Sequence, residues 1–311
     1  MSVKQHQSVL YQEALQALNI DAGGFYIDCT FGRGGHSRGI LQQLGPDGHL
    51  LAFDRDLDAI NSNEALQLQV DNRFKLHHGC FAELMAVVEQ QNQLGKVNGI
   101  LLDLGVSSPQ LDVAERGFSF MRDGPLDMRM DSSQGVSASE YLARVDEMDL
   151  VKVLFEYGDE RFARRIARAI VDYRQSQPLL TTLQLAKLIE ASVPFRDKYK
   201  HPATRTFQAI RIEINQELQQ VQSVLQQALE VLAPQGRLVV IAFHSLEDRI
   251  VKRFIRDESG RKTNPGKLPI RECDIERGRL KKIGSSIKAE AQELKENPRA
   301  RSAVMRVAEK L

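Results

Sequence analysis

The chain has no tryptophan, only three cysteines and no long uninterrupted apolar run. A membrane-spanning helix needs about 20 consecutive apolar residues, and no signal-peptide core follows the polar residues 1–7. Cys29, Cys80 and Cys273 are odd in number and never adopt a Cys-x-x-Cys spacing, which argues against a disulfide framework or a zinc knuckle. We therefore expect a cytoplasmic protein with free thiols, no membrane partner and no metal.

A strong excess of either charge is also absent, because the formal net charge is only +1. This value argues against a uniformly basic coat for nucleic acid. The charge is nevertheless uneven, since residues 256–311 contain fifteen Lys/Arg and nine Asp/Glu. An anionic partner could therefore meet this end of the chain. The length of 311 residues and the 42% apolar content indicate a globular protein of about two domains.

Apolar strands alternate with helical patterns over the first third of the chain. Strands are predicted at 25–27, 50–53, 73–77 and 99–103, and a fifth at 238–243. This alternation is typical of an α/β fold with a parallel sheet wound with helices. The stretch 259–284 is polar and irregular, and residues 303–307 are predicted to form a last edge strand.

The alternation stops after Asp103, and residues 111–205 contain helices and loops without a convincing strand. We therefore predict a helical inserted domain at 111–205 and a discontinuous core formed by residues 1–110 and 206–311. A Thr181-Thr182-Leu183-Gln184 capping box begins one inserted helix. Another helix has one apolar face, and its remaining surface carries Arg161, Arg164, Arg165 and Arg168. After the insertion, apolar residues from Phe207 to Leu232 predict one long helix.

Ligands of a doubly wound sheet bind beyond the carboxyl ends of the strands, at the switch point of strand order. Three segments fall there. In the Gly-rich turn at 28–36, glycines let the backbone approach a ligand at a helix N-terminus. Asp54 ends the second strand, where a carboxylate can hold both hydroxyls of a ribose. Asp103 and the loop at 104–110 follow the fourth strand.

Two ligand classes share these features. A dinucleotide-binding Gly-x-Gly-x-x-Gly motif would need glycine at position 37, where Ser37 stands. The segment Ser107-Ser108-Pro109-Gln110 instead resembles the Ser-Pro-Pro-aromatic loop with which DNA amino-methyltransferases hold an exocyclic amine. Methyl transfer is therefore favoured over hydride transfer.

Taken together, the motifs resemble the RsmH (MraW) family of bacterial 16S ribosomal RNA cytosine-N4 methyltransferases from end to end. The matching segments are 6–10, 28–37, 103–112, 116–120, 125–131, 201–212, 243–252 and 297–302. Asp159 stands where the family usually has Glu. The resemblance implies a class I, Rossmann-like sheet that binds S-adenosyl-L-methionine, with a helical insertion that clamps RNA.

The resemblance also implies roles for individual residues. Gly34, Gly35 and His36 would lie against the methionine part of the cofactor, Asp54 would hold its ribose, and Phe81 would line the adenine side. Asp103 and Gln110 would complete the pocket. The implied substrate is a decoding-centre (P-site) cytidine of 16S rRNA in the assembled 30S subunit.

The amine of cytosine is a poor nucleophile, so alignment with the sulfonium methyl is the main requirement. Hydroxyls or backbone carbonyls of Ser107 and Ser108 could accept the amine protons, and no metal is required. His244 is either an acid-base group or a structural one. The arginine-rich face contacts RNA or is a solvated surface. A DNA methyltransferase and a non-catalytic RNA-binding protein remain alternatives, and the sequence leaves open whether a homodimer forms.

Overall fold

The computed structural model describes residues 8–194, 201–260 and 277–311. Its chain separates into two units, one formed by Met1–Gly105 with Leu218–Leu311 and the other by Val106–Glu217. The sequence pattern places the insertion at 111–205, so the second unit begins earlier and ends later than the pattern predicts. Cys273 and motif residues 6 and 7 lie outside the described residues. Within the described ranges, no helix has the length and apolarity needed to cross a membrane.

Seven strands form one sheet in the first unit. They are β1 (Phe25–Asp28), β2 (His49–Asp54), β3 (Phe74–His78), β4 (Val97–Asp103), β5 (Leu232–Ala242), β6 (Leu280–Ile287) and β7 (Val304–Lys310). Their order is β3-β2-β1-β4-β5-β7-β6. The first five strands of this order pair in parallel, whereas β7 is antiparallel to both β5 and β6. The prediction of a Rossmann-like α/β sheet is confirmed.

Fourteen α-helices are found in the described part of the chain. They are α1 (Tyr11–Leu18), α2 (Gly35–Gln43), α3 (Leu57–Ile60), α4 (Asn63–Leu68), α5 (Leu84–Gln90), α6 (Ser108–Asp112), α7 (Ala138–Arg144), α8 (Glu147–Gly158), α9 (Ala163–Ser176), α10 (Thr182–Ser192), α11 (Ala203–Asn215), α12 (Glu217–Val231), α13 (Ser245–Glu258) and α14 (Ala291–Glu296). Helices α6 to α11 belong to the second unit.

The sheet is buried on both faces. Successive side chains of a strand point to opposite faces. In β2, Leu50 and Ala52 pack in one apolar layer and Leu51 and Phe53 in the other. Helices α1, α2 and α4 contribute to the first layer, and α5, α12 and α13 to the second. This arrangement leaves the carboxyl ends of the parallel strands as the place where polar groups can gather.

The prediction of a single long helix from Phe207 to Leu232 is wrong, because this segment forms two helices. Helix α11 ends at Asn215, and Gln216 adopts a left-handed conformation with φ 50° before α12 begins. A residue in this region interrupts the helical hydrogen-bond pattern. The apolar spacing of three or four continues across the break, so periodicity alone could not locate it.

The prediction that the last strand is an edge strand is also wrong. β7 lies between β5 and β6, and the edge is formed by β6. The pattern missed β6, because Leu280 is its only buried residue and most of the others are exposed. β5 is longer than predicted, since it already begins at Leu232.

The second unit has its own apolar core, formed mainly by helices α7 to α11. Helix α9 buries Ile166, Ala167 and Ile170 in it. The predicted capping box at the start of α10 is confirmed, because the Thr181 hydroxyl accepts from the Gln184 amide and the Gln184 side chain accepts from the Thr181 amide. The described residues of this unit contain no strand, only an isolated bridge between Pro125 and Thr181.

Asn215 fixes a strained loop of the second unit. Met128 is fully buried and has φ 63°, a conformation that is costly for a residue with a side chain. The Asn215 side chain accepts from the Met130 amide and donates to the Met128 carbonyl, both at 2.8 Å. The side-chain amide of Asn215 thus satisfies the carbonyl of the strained residue and the backbone N–H two residues after it.

Replacing Asn215 with Ala should leave two buried backbone groups without partners. Each such group costs about 1–3 kcal/mol, so we expect Asn215→Ala to lower the free energy of unfolding measured in urea by at least the lower figure. Hydrogen exchange at the Met130 amide should accelerate in the variant. The exposed helical change Gln222→Ala is the control, and equal stability of the two variants would contradict the role of Asn215.

Candidate functional site

Three neighbouring strands each end in an aspartate. Asp28 ends β1, Asp54 ends β2 and Asp103 ends β4. β1 lies between β2 and β4, and the direction of strand order changes between β1 and β4. The three carboxyl groups therefore meet at the switch point, where open α/β sheets bind their ligands.

The Gly-rich turn connects β1 to α2 and requires glycine at two positions. Gly34 precedes α2 with φ 68°, and a Cβ there would lie 2.8 Å from the Phe31 ring. A Cβ on Gly35 would lie 2.0 Å from the Ser8 hydroxyl. The first glycine is needed for the left-handed backbone, and the second lets the segment at Ser8 approach the helix start.

Asp54 holds this turn against the end of β2. Its Oδ2 accepts from the Gly32 amide at 2.7 Å, and its Oδ1 accepts from the Asp56 amide at 2.8 Å. Burial raises the pKa of Asp54 to about 6, although these two hydrogen bonds oppose the shift. A carboxylate has about four acceptor positions, so Asp54 can still accept hydrogen bonds from a ligand.

Asp28 was not assigned a role from the sequence, yet it is fully buried at the centre of the site. It accepts from the Ser37 hydroxyl at 2.7 Å and from the Thr30 amide at 3.0 Å. Burial raises the pKa of its carboxyl group, and the nearby His36 and these hydrogen bonds oppose the shift. Ser37 thus supports a buried acid at the position where a dinucleotide motif would have glycine.

His36 is buried between two elements of the first unit. Its Nε2 lies 3.2 Å from the Val9 carbonyl oxygen, and a carbonyl can only accept, so we assign the proton to Nε2. Burial lowers the pKa of His36, which favours the neutral ring. Nδ1 then faces Asp103 Oδ2 at 3.7 Å, beyond hydrogen-bond distance.

Asp103 is the acid with unused acceptor capacity. Burial raises its pKa well above the ordinary range, and the negative charges of Asp28, Glu247 and Glu293 add to the shift. Its Oδ1 is buried and accepts no hydrogen bond from the described residues. An unpaired buried acceptor is costly by about 1–3 kcal/mol. A hydrogen-bond donor, above all a cationic one, fits this position.

Glu293 was also missed by sequence reasoning. Its Oε1 accepts from the Leu10 amide at 2.8 Å, although 283 residues separate the two. Leu10 has φ 51°, and its neighbour Val9 supplies the carbonyl that faces His36. No periodic signal around the short helix α14 predicts this contact.

Phe81 begins a 3-10 helix after β3 and is partly buried against the apolar layer that includes Leu84. The carboxyl ends of parallel strands lie on the same side of a sheet, so Phe81, which follows β3, lies on the same side as the three aspartates.

His244 precedes α13, and its Nε2 lies 3.1 Å from Glu247 Oε1. The neighbouring Asp248 pairs with Arg306.

Ser107, Ser108 and Gln110 lie at the start of α6 in the second unit. Ser107 and Gln110 form a capping box there: the Ser107 hydroxyl accepts from the Gln110 amide at 3.5 Å, and Gln110 Oε1 accepts from the Ser107 amide at 2.9 Å. Gln110 is 5% exposed. Two of the three residues predicted from the loop therefore have a local structural role, and their roles in binding and catalysis stay predictions.

Comparison with known proteins identifies the family of the chain. A family model described as the MraW methylase family matches residues 3–311. A Ribosomal RNA small subunit methyltransferase H from Methylococcus capsulatus is 57% identical over 302 residues, which cover 97% of this chain and 99% of that protein. A protein of the same name from Alteromonas mediterranea is 54% identical over 308 residues, with 99% and 98% coverage.

The raised pKa of Asp54 predicts a pH dependence of stability. Because the folded protein binds this proton more tightly than the unfolded chain, the contribution of Asp54 to the free energy of unfolding should fall as pH rises from about 4 to about 6 and then stay level. Asp54→Asn should lack this contribution. The variant's stability relative to the native protein should therefore increase across that window, by at most about 3 kcal/mol.

Urea unfolding at several pH values between 4 and 8 measures the difference. Asp47→Asn, which removes an exposed carboxylate, is the matched control. A stability difference that does not change with pH would show that Asp54 is not a perturbed acid.

Proposed function

Because this chain belongs to the MraW methylase family, a family of S-adenosylmethionine-dependent methyltransferases, we propose that it methylates the exocyclic N4 of a decoding-centre (P-site) cytidine in 16S ribosomal RNA. The assembled 30S subunit is the proposed substrate and the cytoplasm the proposed compartment. The observation that supports this most is that three neighbouring strands end in aspartates at the switch point, where Asp103 Oδ1 is buried and accepts no hydrogen bond from the residues that the structure describes.

The acidic strand ends suit the chemistry of this cofactor. S-adenosylmethionine carries an ammonium, a sulfonium and a ribose diol, and supplies an electrophilic methyl group when bound. We assign the ammonium to the region of Asp103, next to Gly34, Gly35 and His36, because a cation there would offset the cost of the buried carboxylates. Asp54 accepts from the ribose hydroxyls. Phe81 is assigned to the adenine side and Gln110 to the completion of the pocket.

The substrate amine requires positioning more than activation. The lone pair of the cytosine amine is delocalised into the ring, so a group that accepts hydrogen bonds from its N–H groups favours the pyramidal nitrogen that can attack. We assign this to hydroxyls or backbone carbonyls of Ser107 and Ser108. Holding the reacting atoms in line can lower a barrier by about 7–11 kcal/mol. The base must also leave its stack, at a cost of a few kcal/mol that is smallest in unpaired RNA.

The first test identifies the product. The protein is incubated with tritiated S-adenosylmethionine and small ribosomal subunits that lack the modification, and the digested RNA is analysed by mass spectrometry. We expect one N4-methylated cytidine per subunit. Duplex DNA and free 16S rRNA are run in parallel.

Preferred methylation of duplex DNA would favour the DNA enzyme, and cofactor-independent RNA binding without methyl transfer would favour the non-catalytic protein. A methyl group on ring carbon or ribose would contradict the assignment of the amine.

The second test concerns the two serines. If their hydroxyls aim the amine, replacing both with Ala should lower kcat and kcat/KM together by roughly 10²-fold, the scale of a lost positioned hydrogen-bond group. Cofactor affinity should change little. Single-turnover methylation of small subunits measures the effect.

Because Ser107 also caps α6, stability must be separated from catalysis. The variant with both serines changed to Thr keeps both hydroxyls and the cap, so it should retain most of the rate. A double alanine variant that methylates at the native rate would remove the hydroxyls from the mechanism and leave the backbone carbonyls.

A further inference from the structure

Three arginines of α9 lie on one face. At 3.6 residues per turn, Arg164, Arg165 and Arg168 fall within an arc of about 100°, and Arg161 lies in the turn just before the helix. All four are exposed. The arc lies opposite the residues that α9 buries in the core of the second unit, Ile166, Ala167 and Ile170. We call these four residues the arginine face.

The fold does not account for these side chains. Arg161, Arg164 and Arg165 have no ion pair with the described residues. Arg168 approaches Asp172 at 3.8 Å, but both side chains are more than two-thirds exposed, and such pairs contribute little. The first turn of α9 contains no acid, and cations near a helix N-terminus are unfavourable for the helix dipole.

Arg174, further along the same helix, shows what a structural arginine looks like in this unit. Its guanidinium donates to the carbonyls of Leu142 and Val145, both at 2.7 Å. It therefore satisfies the backbone at the end of α7. No comparable contact is found for Arg161, Arg164 or Arg165 within the described residues.

The arginine face does not belong to a generally basic unit. Between residues 106 and 217 the sequence has sixteen Lys/Arg and seventeen Asp/Glu. Four exposed like charges within eight residues of a nearly neutral unit repel one another. A polyanionic partner would turn this repulsion into attraction.

We propose that the arginine face binds the phosphate backbone of the RNA substrate. The proposal rests on the proposed function for the identity of that RNA. Arginine forks match phosphate oxygens in two-point hydrogen bonds. On α9, Arg164 and Arg168 are about 6 Å apart along the helix axis, on the order of two successive phosphates of one strand.

An anionic membrane is the other common partner of a basic helix, and the structure disfavours it. A helix that lies on a bilayer inserts its apolar face between the lipids. The apolar face of α9 is already used, because Ile166 and Ile170 are fully buried in the core of the unit. The arginine face can therefore offer charge but no apolar surface.

The test measures how RNA binding depends on salt. Each phosphate contact contributes about 0.7–0.9 to the slope of log K against log salt. If all four arginines contact phosphates, changing them together to Gln should reduce the slope by about 3. The ratio of the variant's Kd to the native Kd should then shrink by about 50-fold between 50 and 200 mM salt. The probes are purified small ribosomal subunits and free 16S rRNA.

Two matched variants separate the face from net charge. The first changes four scattered exposed lysines, Lys75, Lys96, Lys152 and Lys187, to Gln, and thus removes the same total charge. We expect a much smaller change in slope. The second changes the four arginines to Lys and keeps the charge in place, so most of the slope should return.

Single Arg→Gln variants, each expected to reduce the slope by about 0.7–0.9, keep the test decisive if the fourfold variant does not fold. In kinetics, the loss should fall mainly on KM for the subunit, whereas the Kd for S-adenosylmethionine should stay at the native value.

An unchanged slope in the arginine variants would overturn the proposal. An equal change of slope in the scattered-lysine variant would also overturn it, because net charge alone would then explain the effect. A third contradicting result would be arginine variants that lose binding to phosphatidylserine vesicles but keep native RNA binding. Failure of the native protein to methylate small-subunit RNA would contradict the proposed function, while a reduced slope would still support the arginine face.

Discussion

The removal of carboxyl groups from water at the ends of β1, β2 and β4 is the constraint around which the first unit is organised. Buried carboxylates are costly unless hydrogen bonds or cations compensate them. The Ser37 hydroxyl and the Thr30 amide compensate Asp28, and the amides of Gly32 and Asp56 compensate Asp54. Asp103 keeps one buried oxygen to which none of the described residues donates. The site therefore still lacks hydrogen-bond donors and positive charge. S-adenosylmethionine can supply both, through its ammonium and sulfonium groups.

The central strands could be predicted because parallel strands buried on both faces are continuous apolar runs. The edge could not, because β6 buries only Leu280 and resembles a polar loop in the sequence. Without β6, β7 has no visible outer neighbour and is taken for the edge. The break between α11 and α12 was missed for a different reason: Gln216 is an ordinary helix former in a left-handed conformation, and neither glycine nor proline marks the position.

For the site, sequence position located the acids and glycines but not their partners. Asp54 and Asp103 stand out because each closes an apolar strand, whereas the contact of Glu293 with Leu10 joins opposite ends of the chain and has no local signature. The capping box at Ser107 does have one. The Ser/Thr-x-x-Gln pattern that predicts the start of α10 is present from Ser107 to Gln110 as well. The capping-box pattern therefore predicts a capping role for Ser107, and this role is compatible with the resemblance of the loop to that of amino-methyltransferases.

The two proposed ligands make opposite electrostatic demands. A cationic cofactor favours acids, and RNA favours arginines, but acids close to phosphates would repel them. The two kinds of charge lie in different units: the acids are at the strand ends of one unit, and the arginine face is exposed at the start of α9 in the other. The formal net charge of +1 is a sum over the whole chain and therefore does not reveal either cluster. For such a protein, near-neutrality carries no argument against a nucleic-acid substrate.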